Sequence, residues 1–228
     1  MGLWIINEGG GSRISDLMKG RDLTVSAGTL SPLGMSGAYA SVGSIPYTGG
    51  NASFTAVVRS RKTATLDYYA AALAIGQPGT DLMAYLGQGT SDGQSGGGIY
   101  GSLNAGSGTV WAVGTTHTIA LVHTASPAWN WVYVDGAQIF SGASDTLDIS
   151  GGVYLNRMGS SESFDFTGTT ELAMIYDYAL NATQVKSICE NPYQIIHTSR
   201  TAGHLYAAAA AGGSTLPVFM NYYRQARA

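Results

Sequence analysis

The sequence predicts an all-β protein, a two-sheet antiparallel sandwich, and three observations carry that expectation. Trp131-Val-Tyr-Val-Asp135-Gly136 alternates aromatic with β-branched side chains before a dipeptide that favours a tight hairpin turn. Gly accounts for 32 of the 228 residues without a collagen period, which favours turns and bulges over long helices. Short apolar runs recur along the chain with Gly, Pro, Asn and Ser clusters between them, the spacing of a sandwich.

The elements follow in order. Leu3 to Asn7 is a strand ended by Gly9-Gly10-Gly11, and Ile14 to Leu17 and Leu23 to Ser26 are short, half-polar pieces. Ala27 to Gly50 reads as loops carrying one or two brief strands. Ser53 to Arg59 is a strand that becomes more polar as it leaves the sheet. Leu66 to Ile75 has helix propensity, but its place between strand-like segments and the Gln77-Pro78-Gly79 turn make it a strand. Met83 to Leu86 and Gly98 to Leu103 form another pair, with Gly87 to Gly97 as a flexible surface loop. That glycine-rich loop lacks the Lys and the following helix of a phosphate cradle.

His117 to His123, Trp131 to Val134 and Gln138 to Phe140 make an antiparallel meander, joined by turns at Ser126-Pro127 and Asp135-Gly136. Gly152 to Asn156 and Glu171 to Asp177 are the last strands, separated by a polar crossover. Asn181-Ala-Thr-Gln184 has the form of an N-cap with a third-position residue able to reach back. The helix runs through Val185, Ile188 and Cys189 and stops at Asn191-Pro192. Residues 1–196 are expected to form the sandwich and residues 197–228 an extended C-terminal arm, Ala- and Gly-rich and then aromatic and basic.

Composition narrows the function. Charged residues make up 11% of the chain and the formal net charge is −3, with Lys and Arg scattered, so a nucleic-acid-binding face is not expected. One cysteine, Cys189, excludes an intrachain disulfide framework and reads as a buried structural thiol. The N-terminal residues lack the pattern of a secretory signal, and there is no apolar run of bilayer length. The expectation is a protein made in a cytoplasm, with no membrane partner.

Four segments in order resemble the concanavalin A-like jelly rolls of the laminin-G-like group. They are Trp4 to Gly11, Asp16-Leu17 followed by Gly20, His117 to Gly136, and Phe166-Thr-Gly168 through Glu171 to Leu180. The resemblance covers roughly residues 3–195 and implies a jelly-roll sandwich with one short C-terminal helix. Leu180 to Ile195, ending Asn-Pro-Tyr-Gln-Ile, is similar to the helix and tail of such domains in bacteriophage structural proteins.

The fold includes glucanases, which need paired carboxylates at Glu-x-Asp-x-x-Glu spacing. Glu162-Ser-Phe-Asp165 has the wrong spacing, and Asp145 and Asp148 lack a glutamate partner, so no enzyme activity is expected. His117 and His123 share a strand face but lack a nucleophile or an identified third metal ligand. The resemblance implies a structural calcium site, which falls on Asp16 and Glu171. Lys19 and Arg21 in the same loop oppose it, so no cofactor is favoured and a salt bridge from that loop to Glu171 is the alternative. Asp135 is a turn former.

The expected function is a phage virion structural protein, a capsid decoration (cement) subunit. It would hold other virion proteins, the major capsid protein first, through Phe219, Tyr222, Tyr223 and Arg224 of the arm, and form a homo-oligomer. The alternative is a tail or head-fibre adhesin that binds host-surface glycans, with Trp129 exposed for stacking and Trp131 weighed between core and platform.

Overall fold

The computed structural model describes residues 2–6, 11–18, 22–26, 29–31, 33–36, 40–42, 52–65, 69–76, 83–89, 93–99, 103–143, 147, 151–158 and 165–194. In chain order the first strands are β1 (Gly2–Ile5), β2 (Arg13–Ile14), β3 (Leu23–Val25), β4 (Thr29–Ser31), β5 (Gly34–Ser36) and β6 (Ala40–Val42). Longer ones follow: β7 (Phe54–Lys62), β8 (Ala70–Gly76), β9 (Ala84–Gln88), β10 (Gln94–Ile99) and β11 (Leu103–Val110). The rest are β12 (Thr116–Ala125), β13 (Ala128–Val134), β14 (Ala137–Ala143), β15 (Gly152–Leu155), β16 (Gly168–Tyr176) and the helix α1 (Ala182–Glu190).

The strands build two sheets, and every strand pairing within them is antiparallel. The first runs β14-β13-β12-β7-β16-β5-β4, with β1 also paired to β16, and the second runs β11-β10-β9-β8-β15-β6-β3-β2. Alternation fixes the faces. Phe54, Ala56 and Val58 of β7 enter the core between the sheets, whereas Val57 turns outward. Val132 and Val134 likewise point into that core, meeting Leu73, Leu86 and Ile99 from the second sheet in one cluster.

The first sheet also buries its outer face. Leu3, Val57, Ala120, Val122, Tyr133, Leu172, Met174 and Tyr176 pack there against Leu180, Val185, Ile188 and Cys189. Val185, Ile188 and Cys189 lie at helical spacing, so α1 presents one apolar side to the sheet and charge to solvent. The predicted cap forms in full: Asn181 accepts from the Gln184 amide at 3.0 Å, and Gln184 accepts from the Asn181 amide at 2.9 Å. Thr55 ties this segment down, donating to the Tyr178 carbonyl at 3.0 Å and accepting the Leu180 amide at 2.9 Å.

Three expectations need correction. Much of Gly87 to Gly97 is strand and not surface loop: Gly87 and Gln88 belong to β9, and Gln94 onward belongs to β10, buried almost throughout. Gly98 accordingly sits inside a strand, and the partner strand, starting at Leu103, is one the sequence did not suggest. The cause is steric, since a Cβ on Gly96 or Gly98 would collide with the backbone carbonyl of Ala105 or Leu103 on β11. Nor does β7 fade at Arg59. It runs on to Lys62, which is 1% exposed and donates to Gln88 Oε1 at 2.8 Å, a polar tie between the two sheets.

Candidate functional site

The outer face of the first sheet holds the aromatic residues that the sequence flagged. Trp129, Trp131 and Tyr133 alternate on β13 with the inward Asn130, Val132 and Val134. Tyr133 is buried under α1, but Trp129 and Trp131 are only partly covered. Their ring centroids are 6.3 Å apart and the planes differ by 46°. The register explains the opening: Trp129 faces Ala143 and Trp131 faces Ser141 on the edge strand β14, both small and exposed. On the other side Trp129 faces Thr124, and Trp131 faces Val122 of the helix-covered cluster. Between core and platform, Trp131 takes neither the sandwich interior nor full exposure; it props Trp129 from the margin of that cluster.

The proposed calcium residues are engaged elsewhere. Asp16 Oδ1 accepts the Leu3 amide at 3.1 Å and the Met18 amide at 3.0 Å, pinning the 16–18 turn to β1. Glu171 Oε2 takes Arg59 Nε at 2.8 Å, a salt bridge from β7, which is not the loop partner that the sequence suggested. Lys19 and Arg21 lie outside the described residues. Among the described residues no group of three His, Cys, Asp or Glu converges as a metal site.

Asp135 is the turn former expected, with φ 50° beside Gly136 at φ 82°. Its carboxylate also accepts the Thr118 amide at 2.8 Å and meets His117 Nδ1 at 2.5 Å. Partial burial pushes this carboxyl upward, but the His117 and Thr118 hydrogen bonds and the nearby Arg59 charge outweigh it and hold the group below 3.8. His117 and His123 face the same way along β12 and end in different surroundings. His117 stands edge-on to Trp111, centroids 5.3 Å apart, while His123 is fully buried beside Phe54 with Nδ1 2.8 Å from Asn130.

Cys189 is buried as expected, and burial pushes its thiol up to about 11, leaving it protonated. Asp165 lies 3.6 Å from Arg157. Glu162, Asp145, Asp148 and the whole arm, with Phe219, Tyr222, Tyr223 and Arg224, lie outside the described residues.

No family model matches the chain, and no curated protein matches it. Solved structures do. Trypanosoma rangeli sialidase, in complex with a difluorinated nononic acid, matches at TM-score 0.64 and 20% identity over 82% of this chain. The match covers 32% of the sialidase chain, so the likeness is to about a third of that protein. A heptameric SAP-like pentraxin from Limulus polyphemus matches at TM-score 0.50 and 14% identity, over 63% of this chain and 72% of that one. The fold is a two-sheet antiparallel jelly-roll sandwich with a short C-terminal helix. The expected two-sheet sandwich is thereby met in the described residues, and the likeness at this identity speaks for fold alone.

Proposed function

We propose that this jelly roll binds carbohydrate, taking neutral pyranose rings on the Trp129–Trp131 face. One observation carries the reading: two adjacent, partly exposed tryptophans stand on an outer sheet face beside small side chains. An indole offers a flat apolar surface to the C–H face of a sugar while its rim stays wet. Ser141 and Ala143 leave the approach open, and β13 and β14 carry no Asp, Glu, Lys, Arg or His to demand a charged ligand. The sialidase likeness speaks for the fold, and the tryptophans carry the proposal.

A glycan array followed by calorimetry tests it. Wild type is expected to bind neutral oligosaccharides, and Trp129→Ala to weaken that binding by about tenfold or more, the scale of a hot-spot aromatic. Absence of any neutral ligand, or unchanged affinity in both Trp129→Ala and Trp131→Ala, sinks the proposal.

The setting we favour is a phage virion, with the domain acting as a tail or head-fibre adhesin more than as a cement subunit. The phage-like ending supports the virion half, and a sugar platform has its use at a host surface. Removing residues 197–228 is expected to lower association with particles while glycan binding persists; undiminished association removes the docking role of Phe219, Tyr222, Tyr223 and Arg224.

A further inference from the structure

We infer that the first sheet carries a second site, a cleft for a carboxylate-bearing pyranose, separated from the tryptophans by the α1-covered cluster. The cleft has a volume of about 370 Å³ and is lined by Ile5, Ile6, Leu33, Arg61, Thr169, Glu171 and Tyr193. That size lies within the range of small-molecule sites. Arg59 pairs with Thr118 and Leu172, whereas Trp131 belongs to the row through Val122, Thr55 and Tyr176. Four residues along a strand put the two sites roughly 13 Å apart in that direction alone.

Several independent features build the cleft. The register of β16 shifts between Thr170 and Leu172, so Glu171 is the extra residue of a bulge, the device by which a sheet re-aims one side chain. Gly34, at φ 127°, lets the Leu33 turn lie against β16; a Cβ there would come within 2.5 Å of the Thr170 carbonyl oxygen. Ser31 locks that turn, donating to the Gly34 carbonyl at 3.0 Å and accepting the Leu33 amide at 3.2 Å. Leu33 is left 75% exposed at the lip. Tyr193 closes the opposite side from the turn after α1, its hydroxyl 3.5 Å from Glu171 Oε2.

The side chains select the ligand. Arg61 donates through Nε to the Gly114 carbonyl at 2.9 Å and has no carboxylate partner among the described residues. A guanidinium held this way suits a carboxylate fork. Glu171 does not repel such an anion strongly, because Arg59 already neutralises it at 2.8 Å. Thr169 and Glu171 offer hydroxyl and carboxylate groups to sugar hydroxyls, and Ile5, Leu33 and Tyr193 offer an apolar wall to the ring. A neutral sugar leaves Arg61 without its anion, and a simple fatty acid leaves Thr169 and Glu171 unused.

The full chain, titrated with glucuronic acid, N-acetylneuraminic acid and glucose, tests the inference by amide chemical shifts. At least one acid is expected to move resonances at 59–61, 169–171 and 193 without moving those of 124–143, with glucose silent at the cleft. Arg61→Gln and Leu33→Asp change exposed side chains, and melting scans verify their folding; each is expected to weaken the acid response about tenfold. The inference is overturned if neither acid binds, if glucose moves the cleft resonances equally, or if Arg61→Gln binds acid like wild type. The tryptophan face reports through its own resonances, so either site can fail without the other.

Discussion

Single residues show how each face obtains its chemistry. Gly98 lies between Tyr85 and Asn104 in the register, and the Tyr85 hydroxyl donates to Asn104 Oδ1 across it. A methyl there would strike the Leu103 carbonyl, so Gly98→Ala is expected to cost about 1–3 kcal/mol in a urea melt, as overpacking does. His123 sets a pH response. Burial holds its imidazole below 6.5 against the opposing Asn130 hydrogen bond, so the unfolded chain takes up this proton at higher pH than the folded one. Stability is therefore expected to fall as pH drops below about 6.5, by at most ~1.4 kcal/mol per pH unit, and His123→Gln to flatten that slope. Asp135, held below 3.8, adds stability above its ordinary range and loses it only in stronger acid. The orientation of Trp131 was open in the sequence for a physical reason: alternation separates two faces, but here the core covers one and α1 half-covers the other. Arg59 ended the expected strand and Arg61 lay beyond it, and the bulge that brings Glu171 to Arg59 leaves no local mark.

At the level of elements, legibility followed side-chain chemistry. The α1 cap was readable because Asn181 and Gln184 announce their bonds by type and spacing. Asn181→Ala is expected to lower stability by roughly 1 kcal/mol and loosen α1, seen as faster amide exchange at Ala182–Gln184. The hairpin of β13 and β14 was readable for the same kind of reason, an Asp-Gly turn between alternating runs. β10 was not. Its Gln-Ser-Gly-Gly-Gly-Ile sequence has almost no strand propensity, and what makes it a strand is pairing with β9 and β11 on both sides. Only neighbours distant in sequence show that its glycines are packed against backbone and not left loose in solvent. β7 was cut short in the same way, because a buried lysine reads as an exit to solvent until Gln88 is in view.

Seen whole, the molecule is a sandwich whose first sheet has an outer face divided by α1 into an aromatic end and a charged end. The all-β class, the antiparallel pairing and the helix α1 follow from period, glycine content and turn chemistry. The strand order does not, because it depends on which distant segments meet. β16 pairs with β7 on one side and with β1 and β5 on the other, linking Gly2–Ile5 to Leu172–Ile175. A fragment of residues 1–165 lacks that strand and is expected to show no cooperative melting transition by circular dichroism. The same pairing governs synthesis on the ribosome. β1 emerges long before β16 and until then has only the 16–18 turn to pair with, so the first sheet closes only after β16 has emerged and folds slowly through long-range contacts.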